Sequence, residues 1–197
     1  MRSISLVVAL ALLASLQGLA AAQSPGRPNT REGFWIGFGV GGGSTETKCD
    51  SSCTDSRSEG GSGYLRMGGT VSSKVLLGGE VNGWAVSEGG KDKALGFASF
   101  IVMWYPSATG GFYLKGGLGG MTYKETDAAS NELTATAPSV SLGLGYEIRV
   151  SRNMSVVPFF NGLATSAVRI RFNGNPVPTG EDIKVSMAQL GVGLTWH

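Results

Sequence analysis

Between residues 34 and 196 the chain repeats one pattern: stretches in which apolar side chains alternate with polar or very small ones, broken by turns or charged loops. A period of two sorts side chains onto opposite faces of a strand, and no stretch sustains the 3.6-residue period of a helix. The clearest instance is 94–123, where ALGFASFIVMWY and FYLKGGLGGMTY are joined by PSATGG and read as a hairpin. In its second arm Phe112, Leu114, Gly116, Leu118 and Gly120 share one face, and Tyr113, Lys115, Gly117, Gly119 and Tyr123 the other. Trp104, Tyr105, Phe112 and Tyr113 bracket the turn at one level. With Trp196 they form a candidate aromatic girdle of the kind found where a membrane meets water.

Eight strands follow from the pattern, at 34–43, 63–71, 75–86, 94–105, 112–123, 137–149, 154–165 and 183–196. The joins after the second, fourth and sixth (72–74, 106–111, 150–153) are short, and the others are mostly longer and hold most of the charge. Short turns at one end and long loops at the other describe an outer-membrane barrel, and an even strand count returns both termini to the short-turn, periplasmic side. The expected fold is all-β, an eight-stranded antiparallel up-and-down transmembrane β-barrel over 33–197, preceded by a signal peptide at 1–22 and a periplasmic tether at 23–32. Arg2, the apolar run 4–16 and the small Ala20, Ala21 and Ala22 carry the export reading.

Composition agrees. With 32 Gly in 197 residues and only 15% charged side chains, the chain is short of the charge an ordinary soluble surface carries. Beyond the leader no run of eighteen apolar residues occurs, so a bilayer could be crossed only by a closed barrel, which satisfies every backbone group internally. A net charge of +2 points to no nucleic acid.

Ionised side chains within the strands should face the lumen, because an Arg or Lys on the lipid face near the midplane costs about 2–4 kcal/mol. Arg66, Glu80, Lys115, Glu147 and Arg149 are therefore the candidate lumen charge network. Parity of the second and third strands predicts a three-residue turn, Val71 across from Val75 and Arg66 across from Glu80; Lys115 and Glu147 form a second candidate pair. The network reads as a plug of a narrow barrel, with a gated polar path as its alternative. Interior glycines such as Gly37, Gly39, Gly41, Gly117 and Gly119 relieve crowding there. The pattern leaves the facing of the fourth and seventh strands open, and Pro158 predicts a bulge.

Other motifs carry less. Gly37, Gly39 and Gly42 match G-x-G-x-x-G, but a polar loop follows where a dinucleotide site needs a helix, so no cofactor is expected. Cys49 and Cys53 in the first loop read as a disulfide rather than a metal site, since no His is near. The alternating 167–172, AVRIRF, extends the seventh strand as a ribbon; its Arg169 and Arg171 read as solvated, or as contacts for a partner strand or lipopolysaccharide phosphates.

The leader, the Gly-rich strands, the segment WYPSATGGFYLKGGLG (104–119) and the final strand MAQLGVGLTWH (187–197) resemble the small OmpA/OmpX-type outer-membrane β-barrels. The resemblance implies a monomer in the bacterial outer membrane, in contact with its lipid and lipopolysaccharide. It also implies a last strand read by the barrel-assembly machinery, although here Trp196 is penultimate. That class holds envelope-stabilising proteins, adhesins, evasion factors and lipid-modifying enzymes. Its hydrolases use a His-based site at the outer face, whereas the sole histidine here is His197, at the periplasmic end. The expectation is a non-enzymatic barrel acting in envelope structure or through long extracellular loops. A narrow passage for small or hydrophobic solutes is the alternative, and a lipid-modifying enzyme is less favoured.

Overall fold

A computed structural model describes residues 31–49, 56–165, 168–177 and 183–197. The leader, most of the tether, Cys53 and the disulfide expectation lie outside these residues. The elements are β1 (Phe34–Cys49), β2 (Ser56–Ser72), β3 (Val75–Glu88), β4 (Lys91–Trp104), β5 (Phe112–Asp127), β6 (Glu132–Tyr146), β7 (Ile148–Arg149), β8 (Met154–Thr165), β9 (Arg169–Phe172), β10 (Asn175–Val177) and β11 (Ile183–Trp196). Neighbouring strands pair antiparallel in chain order from β1 to β6; β8 pairs with β6 and β11, and β11 returns to β1. The sheet closes on itself as an eight-stranded antiparallel barrel whose staves are β1–β6, β8 and β11. Closure leaves the staves without an open edge, which is what a wall standing in lipid requires.

The side chains are sorted inside out. Leu142 and Leu118, 71% and 70% exposed, stand on the outer wall, whereas Arg66, Glu80 and Lys115 are at most 2% exposed inside it. On β4 the inward set is Leu95, Phe97, Ile101 and Met103, and on β8 it is Ser155, Val157, Phe159, Asn161 and Leu163. The lumen is plugged, but it is not polar throughout. Trp35, Leu76, Ile101, Met103, Tyr105, Tyr113 and Val157 fill the end near the chain termini. Trp84, Leu95, Phe97, Met121, Leu163, Val185 and Met187 belong to a second apolar cluster toward the far rim. The charged belt lies between them.

Three local expectations are corrected. The far-rim joins after β3 and β5 are tight turns rather than long loops, because the strands run on past the predicted ends. Gly89 and Gly90, at φ +60° and +75°, supply the left-handed pair that a two-residue hairpin needs. Arg66 does stand across from Glu80, but Ser72 rather than Val71 meets Val75, since a bulge at Val71 absorbs the odd residue. No bulge forms at Pro158, which faces Val192 in unbroken register. On its other side pairing lapses between Gly145–Phe159 and Ile148–Val156 and resumes unshifted. Pro158 has no amide to give, and the Glu147 N–H donates instead to Gly111 O at 2.9 Å. The 169–172 ribbon pairs with β6 on one side and β10 on the other, so the outer strand of the ribbon is the short, Pro-bearing β10.

Candidate functional site: the lumen and its rims

Alternation brings Glu80 on β3 and Lys115 on β5 to the middle of the lumen, where both side chains are wholly buried and joined as an ion pair. Asn82, two residues along the same face, donates its amide to Glu80 Oε1 at 2.6 Å. Arg66 does not share this carboxylate. Its guanidinium donates to Tyr113 Oη at 3.0 Å and Thr195 Oγ1 at 3.3 Å and lies 4.7 Å from the Tyr64 ring centroid. The room for Tyr64 comes from glycine: a Cβ on Gly39 would lie 2.5 Å from Tyr64 Cε1 and 2.9 Å from Phe159 Cε1.

A second cluster closes the rim that carries the termini. Glu147, between β6 and β7, points inward and gathers three partners. Tyr105 Oη donates to Oε1 at 2.7 Å, His197 Nε2 to the same oxygen at 3.1 Å, and Arg31 Nε lies 3.4 Å from Oε2. Arg31 reaches further. It donates to Ala108 O at 3.2 Å, Ser73 O at 3.4 Å and Gly110 O, tying the β2–β3 and β4–β5 turns together, and its guanidinium lies 3.5 Å above the Tyr105 ring. Arg31, three residues before the first strand residue, and His197 after β11 thus meet on one carboxylate.

Neisserial surface protein A superposes with a TM-score of 0.59 at 11% identity, over 85% of this chain and 99% of that one. Ail, the attachment invasion locus protein of Yersinia pestis, superposes with a TM-score of 0.51 at 14% identity, over 84% and 99%. The fold is that of the small OmpA/OmpX-type outer-membrane barrels. No protein-family model matches the sequence, and no curated protein does.

Within this barrel type the aromatic level divides in two. Trp104 and Phe112 face outward beside Phe34 and Tyr146, and Trp196 lies half-buried with its ring 5.7 Å from Phe38. Tyr105 and Tyr113 are withdrawn from the candidate girdle: both are buried in the lumen, because a residue next to an outward one on a strand must face inward. Their hydroxyls serve the interior charges instead. The expected Lys115–Glu147 pair is also replaced, since each has a nearer partner in Glu80 and Arg31. Arg149 stands half-buried at the terminal rim. Arg31 had no place in the sequence reading, having been assigned to the tether. The signal for it was a lone inward Glu147 at the rim where a basic residue precedes the first strand.

Each buried ion in the lumen meets a counter-charge or a hydrogen-bond partner, and an apolar cluster lies on each side of the belt. Beside this interior, the outer wall carries shallow grooves, one of about 890 Å³ floored by Gly61, Gly83, Ala85, Ala94 and Gly96.

Proposed function

We propose that the chain is a non-enzymatic, monomeric bacterial outer-membrane barrel, closed to solutes, that serves the envelope through its outer wall and its extracellular rim. The observation that carries this reading is the filled lumen: two apolar clusters with the Glu80–Lys115 pair and Arg66 between them. A conducting barrel of this type needs a continuous polar interior, and eight staves leave room only for side chains. The terminal rim faces the periplasm in this reading and the far rim faces outward. The sole histidine is bound to Glu147 at the periplasmic rim, a poor position for an acid–base site aimed at surface substrates. Outward Leu190, Val192 and Leu194 on β11 present the alternating last strand that the assembly machinery would read. Ail is named for attachment and invasion, which is a role of the kind a rim without a conduit can serve.

Membrane fractionation followed by gel mobility with and without boiling tests the placement: the protein partitions with outer membranes and changes mobility on heating. Planar-bilayer recording tests closure. Stable conductance steps would overturn the closed reading in favour of a narrow passage.

A further inference from the structure

On the outer wall the rows can be followed strand to strand. Phe112 pairs with Tyr146 near the terminal rim, and ten residues up the same strands Thr122 pairs with Thr136, which pairs in turn with Arg169. One row higher Lys124, Thr134 and Arg171 stand side by side. Ile170 packs on the interior cluster, so Arg169 and Arg171 face outward, and both are exposed. Ten residues at about 3.3 Å each, tilted by about 40°, rise about 25 Å, which is the height of the apolar band of an outer-membrane barrel. Below the Arg169 row the wall is Gly120 and Pro138, then Leu118 and Val140. The cationic rows therefore stand where hydrocarbon gives way to headgroups.

Glu132 draws the Lys124 ammonium to 3.0 Å, whereas neither Arg169 nor Arg171 has a carboxylate within ion-pair distance among the described residues. Thr134 and Thr136 stand beside them on the neighbouring strand, with Thr134 Oγ1 donating to Glu132 Oε1 at 2.9 Å. Two guanidinium forks flanked by hydroxyls suit a phosphate monoester, and the apolar wall below suits the chains attached to it.

We propose that the outer face of β5, β6 and β9 binds the phosphorylated headgroup of an outer-leaflet glycolipid, through Arg169 and Arg171 with Thr134 and Thr136. This rests on the outer-membrane reading above. The test titrates the folded protein in neutral detergent micelles with bisphosphorylated lipid A, with the same lipid after dephosphorylation, and with inorganic phosphate, following the Thr134 and Thr136 amides by NMR. The wild type prefers the bisphosphorylated lipid at least tenfold. Arg169→Gln with Arg171→Gln removes that preference, and Lys74→Gln with Arg152→Gln, an equal charge change at the terminal rim, keeps it. Equal binding of both lipids by the wild type, a preference that survives in the Arg169/Arg171 variant, or equally tight binding of inorganic phosphate overturns the inference. Each sample's gel shift on boiling reports the barrel separately, so a heat-shifting wild type that does not discriminate between the lipids counts against this site alone.

Discussion

Arg31 Nε lies 3.4 Å from Glu147 Oε2, with neither side chain exposed, and this pair joins the segment before the first strand to the junction of β6 and β7. Removing one member of a buried pair leaves an uncompensated charge, which costs about 3–5 kcal/mol. Arg31→Gln should therefore lower the unfolding free energy by about 3 kcal/mol, read from urea unfolding in micelles by tryptophan fluorescence. Glu147→Gln should cost a similar amount. The double variant should cost less than the two singles added together, because the charges vanish in company.

The same logic applies in the middle of the lumen, with a sharper contrast. Lys115→Met strands Glu80 in an apolar interior and should destabilise the barrel by about 3–5 kcal/mol. Adding Glu80→Leu removes the orphan and should recover most of that loss. A double variant no more stable than Lys115→Met would show that the pair stabilises through more than mutual neutralisation.

Much of this architecture is legible in the sequence, and the illegible parts have physical reasons. Strands two, three and six declare their facing because their inner faces carry Arg66, Glu80, Ser141 and Glu147 against aliphatic outer faces. Strands β4 and β8 do not. Leu95, Phe97, Ile101 and Met103 inside oppose Phe100, Val102 and Trp104 outside, so polarity offers no contrast where the lumen itself is apolar. The far-rim extensions are hidden for another reason: beyond the apolar band both faces meet water, and paired strand there reads like a charged loop. Arg31 sits in a polar stretch with no period, and only the closed barrel brings it under Glu147.

Glycines on one strand should differ sharply by face. Gly39→Val drives a branched side chain into Tyr64 and Phe159 and should cost about 1–3 kcal/mol. On Gly42, three residues along β1, an added Cβ meets nothing within 4 Å, and Gly42→Val should be neutral or slightly stabilising in the same urea titration.

The β5–β6 turn carries a pH signature. Asp127 Oδ1 accepts from the Ala129 and Asn131 amides and Oδ2 from Asn131 Nδ2, each at 2.9 Å. Hydrogen bonds from Asn131, side chain first and then backbone, hold its carboxyl below the usual aspartate value. A depressed folded value means that the ordering of the turn is complete above the unfolded value of about 3.9 and is lost as pH falls through the lower folded one. The Asn131 amide shift should stay constant from neutral pH to about 4 and move only below it. Asp127→Asn should abolish that movement.

Side-chain methyl NMR in lipid nanodiscs reads the inside-out arrangement directly. Methyls of Leu118, Val140 and Leu142 should show cross-relaxation with acyl-chain protons, and those of Leu76, Ile101 and Val157 should show none. Lipid contacts at Leu76 and Ile101, or water contacts in place of lipid at Leu118 and Leu142, would contradict the account.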